Sequence, residues 1–284
     1  NYNYNSTYFL SVTVRNDRSS KFGSANKSAV FPSASAGYVI SNAGFWPENN
    51  VVNRLKLKGS YGQLGFDNID PNLLFDAFAL NEALSYYAIN GGSISQGAVQ
   101  QIYGNPDLKW ETMTALNFGL ESSLFNDRVS FGVEYYNNLN EDILNQFVPA
   151  NPSTGIEAPA PLANIGSVRN SGLEFNLGIT SKPGKDFRYG VNVNFSTNEN
   201  MVEELGAEFL TGGNTRMGDV NRTEAGRSFA NFYGLQADGL DSNGRLNFVD
   251  QNGDNVINDD DRTYIGDPNA DFFYGVNLNL GYKG

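Results

Sequence analysis

The densest run of oxygen-bearing side chains is Asp250-Gln251-Asn252-Gly253-Asp254-Asn255-Val256-Ile257-Asn258-Asp259-Asp260-Asp261. Its spacing matches an EF-hand-type calcium loop at the first, third, fifth and twelfth places. Asp250, Asn252 and Asp254 would supply side-chain oxygens, Val256 its carbonyl, and Asp261 the closing carboxylate. Calcium is a hard cation that takes several oxygens, so this set suits Ca2+ as a structural ion in a loop. Two positions depart from the pattern. Asn255 stands where glycine is usual, although Asn tolerates positive φ, and Asp261 reaches less far than Glu. The plain alternative is a solvated acidic loop tip. Asp241-Ser242-Asn243-Gly244 reads as a turn.

Other chemistry is sparse. The 284 residues contain no Cys and no His. That removes thiolate sites, His-ligated zinc and Ser-His-Asp triads. Glu203-Glu204 lies in a polar stretch, and nothing near it supports a glycosidase pair. The reading is therefore of a chain that is not an enzyme. Trp46, Trp110, Tyr86, Tyr87, Phe229, Phe232 and Tyr233 could stack on sugar rings or peptide side chains, but packing is the commoner use of such rings. Arg216, Arg222 and Arg227 could hold an anion. A net charge of −12 argues against nucleic acid as a partner.

The elements that would carry these residues are strands. Phe187, Tyr189, Val191, Val193 and Phe195 alternate with Arg188, Gly190, Asn192, Asn194 and Ser196. Tyr274, Val276, Leu278, Leu280 and Tyr282 alternate with Phe273, Gly275, Asn277, Asn279 and Gly281. The period is two, and each run is long enough for a tilted strand to cross a bilayer. Aromatics end the apolar face and aliphatics fill its middle, as in a lipid-facing band between two aromatic girdles. Similar alternation marks 8–15, 116–121, 129–135 and 173–180. A soluble sandwich would use the same pattern to face a core.

Connections come in two sizes. Phe125-Asn126-Asp127-Arg128 and Ser181-Lys182-Pro183-Gly184-Lys185-Asp186 are short. Other links are long: residues 62–108 hold few clean strand patterns, 141–165 carry Pro149, Pro152, Pro159 and Pro161, and 199–228 and 238–270 are long and polar. Short turns at one end and long loops at the other are the asymmetry of outer-membrane barrels. No apolar run reaches about 18 residues, so no transmembrane helix is expected. The start, Asn1-Tyr2-Asn3-Tyr4-Asn5, lacks the features of a signal peptide.

Six segments stand out along the chain: YFLSVTVRNDRSSKFG at 8–23, VFPSASAGY at 30–38, LKLKGSYGQLG at 55–65, NPDLKWE at 105–111, NIGSVRNSGLE at 164–174 and IGDPNADF at 265–272. In sequence and in order, nearly end to end, they resemble the SusC/RagA family of TonB-linked outer-membrane proteins; Ala270 replaces a usual Pro. The resemblance implies an all-β, antiparallel transmembrane β-barrel with long extracellular loops, residues 1–284 forming part of one barrel domain in the outer membrane of a Bacteroidetes-like cell. It also implies that plug, TonB box and final strands lie outside these residues. The implied function is TonB-dependent import of oligomeric nutrients, glycans or peptides, with a SusD-like surface lipoprotein, outer-membrane lipid and the TonB complex as partners. A secreted or surface calcium-stabilised β adhesin or lectin is the alternative from another class.

Overall fold

The computed structural model describes residues 1–47, 51–79, 86–89, 93–145, 161–182, 184, 186–212, 215, 216 and 218–283, with the side chains of 79, 86–89, 93–96, 99 and 101 left aside. Among them, helix is limited to 3-10 turns at Ile40–Asn42, Pro71–Leu74 and Asp259–Asp261. Among the described residues, no helix is long and apolar enough to cross a membrane.

One ten-stranded antiparallel sheet organises the chain. Its strands are β1 (Tyr2–Tyr4), β2 (Tyr8–Arg18), β3 (Ser28–Val39), β4 (Val52–Phe66), β5 (Glu111–Leu124), β6 (Val129–Glu141), β7 (Ser167–Thr180), β8 (Phe187–Thr197), β9 (Glu199–Glu204) and β10 (Phe272–Tyr282). Apart from β9, neighbours in sequence are neighbours in space. The order is β1-β2-β3-β4-β5-β6-β7-β8-β10, and β9 also pairs with β7. An up-and-down meander of this kind is what short turns between long alternating strands dictate. The expectation of few strand patterns over 62–108 is corrected, because β4 runs on to Phe66 and short paired strands form at Ala77–Ala79, Tyr86–Ile89, Ser93–Gln96 and Val99–Ile102; β9 likewise occupies the start of the expected 199–228 link.

Register keeps each apolar set on one face. Val193 lies opposite both Leu177 and Val276, and Val133 opposite both Leu120 and Phe175. That face is uncovered: Val14 is 67% exposed and Leu278 59%. No second sheet lies over it among the described residues. A contiguous apolar face of this extent is stable only against lipid or a partner. Aromatics bound it, with Phe187 and Tyr282 paired at one end and Phe195 and Phe272 stacked near the other. Where the face lacks a side chain, at Gly59, the Phe118 ring of the next strand fills the gap. Tyr8 stacks on Tyr38 with centroids 4.9 Å apart.

Short connections (125–128 and 181–186) lie at the end where β8 begins and β10 finishes. The connections 67–110, 142–166 and 198–271 lie at the other end. There, residues Leu210–Gly212, Asn221–Thr223, Asn231–Leu235 and Arg262–Gly266 form a four-stranded sheet, and Ala237–Leu240 pairs with Leu246–Phe248. Pro149, Pro152 and Pro159 fall outside the described residues.

Candidate functional site

The face opposite the apolar band is polar and carries linked charges. Lys58 on β4 sits 2.9 Å from the Glu121 carboxylate on β5 and 2.6 Å from Glu134 on β6; Lys56 lies 3.8 Å from Glu121. Lys58 is opposite Gly119, which is opposite Glu134. A Cβ at Gly119 would lie 2.6 Å from Lys58 Cε. The glycine lets the lysine stem cross a whole strand to reach its second carboxylate. Sequence reasoning saw these positions only as the polar half of an alternation. Their pairing depends on register between distant segments, which no local signal carries.

At the long-loop end the motif segments converge on one buried cluster: Phe22, Phe31, Ile69, Leu74, Leu108 and Trp110. Phe22 and Leu108 are fully buried. Burying each such side chain contributes about 1.5–3 kcal/mol. Trp110 packs on Phe22 and Phe31, with centroids at 5.1 and 5.7 Å. Polar contacts tie in the 164–174 motif: Asn164 accepts from the Lys109 N–H at 2.9 Å and donates to the Lys109 and Asp142 carbonyls at 2.8 Å. Trp110 is thus a packing residue. Trp46 lies in the β3–β4 connection, at the end away from the long loops. Tyr86 and Tyr87 lie among the side chains left aside.

The loop sheet uses its aromatic and basic residues internally. Arg222 stacks on Phe209 and Tyr233, 3.8 and 4.9 Å from the ring centroids, and lies 3.6 Å from Glu224. Arg227 covers Tyr264 at 3.9 Å. Tyr264 donates a short hydrogen bond to Glu224; partial burial, with that carboxylate beside it, pushes its phenol up to about 12. Arg216 is exposed, as are Phe229 and Phe232. No anion site is assembled from the three loop arginines named by sequence.

The acidic loop closes on its own backbone. Asp250 accepts from the Gly253 and Asn255 N–H groups at 2.6 and 2.7 Å, Asn252 from Asp254 at 2.9 Å, and Asp254 from Val256 at 2.7 Å. Asp261 is buried and accepts from Asn258 and Gln251, both at 2.8 Å. Those N–H groups, Asn258 first, hold its carboxyl below the usual carboxylate range. Asn255 takes φ +65°, the left-handed conformation that a calcium loop requires at this place. Among the described residues, no group of three or more His, Cys, Asp or Glu side chains converges as a metal-binding cluster. The chain conformation and donor types fit calcium. Asp241-Gly244 is the expected turn, with Gly244 N–H bonded to the Asp241 carbonyl at 3.0 Å.

An uncovered apolar band bounded by aromatics, a charged inner face and loops gathered at one end define the wall of an outer-membrane β-barrel. Comparison with known proteins agrees. The family described as TonB dependent receptor-like, beta-barrel, matches residues 1–283, and the chain belongs to it. TonB-dependent receptor P26 of Formosa agariphila is 33% identical over 306 residues, covering 100% of this chain and 30% of that protein. TonB-dependent receptor SusC of Bacteroides thetaiotaomicron is 28% identical, covering 100% of this chain and 29% of its own. The RagAB peptide importer in its open-open state superposes with a TM-score of 0.82 at 30% identity, over 98% of this chain and 30% of that one. The chain therefore spans about 30% of the length of the relatives it matches. The SusC/RagA resemblance read from the motifs holds, as does the all-β barrel fold.

Proposed function

We propose that these residues are part of one barrel domain of a TonB-dependent importer that takes up oligomeric nutrients, glycans or peptides, together with a SusD-like surface lipoprotein. The observation that carries this reading is the family match along the whole wall, joined to an apolar outer face and a polar inner one. In it, the strands supply wall and lumen lining, the long connections face outward, and the TonB complex acts through a plug encoded elsewhere in the full-length protein. The named likeness to SusC and to the RagAB peptide importer supports a lipoprotein partner. The acidic loop at 250–261 is proposed to take Ca2+ through Asp250, Asn252, Asp254, the Val256 carbonyl and Asp261, as a structural ion. The adhesin reading is disfavoured by the absence, among the described residues, of a sheet covering the apolar face.

The test is to purify the full-length protein from native outer membranes in mild detergent. A stoichiometric surface lipoprotein and a bound oligomer are expected. Recovery in the soluble or secreted fraction with no lipoprotein would overturn the reading.

A further inference from the structure

The β2–β3 hairpin is basic in an acidic chain. Between residues 15 and 28 it carries Arg15, Arg18, Lys21 and Lys27 against one acid, Asp17, while the whole chain has a net charge of −12. Two of these cations are engaged: Arg15 lies 2.7 Å from Asp17, and Lys21 donates to the Asp67 carbonyl at 2.9 Å. The side chains of Arg18 and Lys27 make no ion pair or hydrogen bond among the described residues. The turn that carries them is nevertheless fixed. Ser19 donates to the Asp67 carboxylate at 2.9 Å, Phe22 is fully buried, and the Asn26 amide donates to the Asp107 and Leu108 carbonyls.

Arg18 belongs to the outer face. It continues the β2 set Tyr8, Leu10, Val12, Val14 and Asn16, and it lies opposite Ser28 as Asn16 lies opposite Val30. Lys27 follows Ser28 at the turn. Four residues separate Arg18 from Val14, about 13 Å of strand. The guanidinium therefore stands just beyond the apolar band, at the long-loop end, which faces the outer leaflet in an outer-membrane barrel. Further round, the same rim has the opposite sign. The outward side chains there are Glu141 on β6, Arg169 on β7 and Glu199 and Glu203 on β9, and Arg169 is already held by Glu203 and Asn137. That sector repels an anion, and the β2–β3 sector attracts one.

We propose that Arg18 and Lys27 bind the phosphate of an outer-leaflet glycolipid whose acyl chains lie on Val12, Val14 and Val30. The outer leaflet of an outer membrane is built from phosphorylated glycolipid, so anion and acyl chain arrive together at this height. A guanidinium meets phosphate oxygens through two parallel N–H groups, and its apolar stem can run along the aliphatic surface below. Basic side chains at the edge of an apolar membrane face attract anionic headgroups in this way. Continuity with the exposed valines selects a lipid over a soluble anion. A free phosphate would meet the two charges and gain nothing from Val14 and Val30, which are 67% and 57% exposed. The proposal rests on the barrel wall and not on import.

The full-length protein in mild detergent is titrated with a phosphorylated lipid A, with the same lipid freed of its phosphate, and with inorganic phosphate. Bound lipid is counted by native mass spectrometry. The phosphorylated lipid should bind at least about tenfold more tightly than the phosphate-free form, and an equal concentration of inorganic phosphate should not displace it. Arg18→Gln combined with Lys27→Gln should bring the phosphorylated lipid down to the level of the phosphate-free one. Lys182→Gln, at the short-turn end, should change nothing. Equal binding of the two lipids, displacement by inorganic phosphate, or a folded double variant that binds like the unaltered protein would overturn the proposal. The comparison of lipids needs only the unaltered protein, so it decides the matter even where the double variant does not fold. None of these results bears on import, which the lipoprotein and the bound oligomer test.

Discussion

Trp110 and Asn26 hold each other across 84 residues: the indole Nε1 donates to the Asn26 carbonyl at 3.0 Å, and the Asn26 amide donates to the carbonyls of Asp107 and Leu108 at 2.9 and 3.2 Å. The β2–β3 turn and the segment leading into β5 are thereby locked at the long-loop end of the wall. Trp110→Ala should cost about 3–5 kcal/mol, the usual loss for a buried aromatic. Trp110→Phe keeps most of the packing and loses one hydrogen bond, worth about 0.5–1.5 kcal/mol. The check is cleavage of the surface loops by added protease in intact cells, with Ala much faster than Phe. Equal rates for both variants would show that the ring does not hold the loops.

Gly23 lies against the same segment from the other side. A Cβ there would stand 2.3 Å from the Pro106 carbonyl oxygen, a backbone atom that cannot swing away. Gly23→Ala should therefore destabilise the rim by about 1–3 kcal/mol, as forced overpacking does. Gly44→Ala, where a Cβ meets nothing within 4 Å, is the matched control and should be neutral. Thermal unfolding of the detergent-purified full-length protein reads both. A neutral Gly23→Ala would mean the two segments are not in contact.

Much of the wall was legible in the sequence because lipid and water impose a period of two. The two cleanest alternations, 187–196 and 273–282, prove to be adjacent strands, with Val191 opposite Leu278. The loop sheet was not legible. Leu210–Gly212 and Asn221–Thr223 are too short to show any period, and their pairing is set by contacts across long connections. The motif segments were recognisable before their purpose was. Phe22 lies far in sequence from Leu108 and Trp110, and only the fold shows that they form one buried cluster. The sequence leaves Trp110 open to stacking on a ligand with packing as the commoner use, and it packs. The acidic loop was the reverse case: its backbone turns were readable from Asp, Asn and Gly alone, whereas the burial of Asp261 was not.

Lys58 serves two carboxylates at once, so its loss is not symmetrical with theirs. Lys58→Met leaves Glu121 and Glu134 facing each other across the strand pair without their shared cation. Glu121→Gln leaves Lys58 with Glu134. The lysine variant should be the more damaging of the two, both in thermal stability and in seating of the barrel's contents. Single-channel conductance of the full-length protein in planar bilayers measures the second effect. Frequent large openings are expected for Lys58→Met and few for Glu121→Gln; the opposite ranking would remove Lys58 from the centre of the Lys56–Glu121–Lys58–Glu134 network.

The acidic loop makes a prediction in which pH and metal act together. Asp261 has a folded-state pKa below its unfolded value, because the Asn258 and Gln251 N–H groups favour the carboxylate. Its contribution is therefore fully present above the unfolded value, about 3.9, and is lost as pH falls below that toward the folded value. Calcium needs the same ionised form, so protons and metal compete. At pH 7, calcium should slow proteolysis of the 238–270 loop on the full-length protein, and chelation should restore it. The protection should persist at pH 5 and disappear below about pH 4. Asp261→Asn should abolish the calcium effect, because the amide cannot provide the closing charge. An unchanged rate with calcium or chelator at pH 7 would leave Asp261 as a buried cap of its own turn, held by the two N–H groups and nothing else.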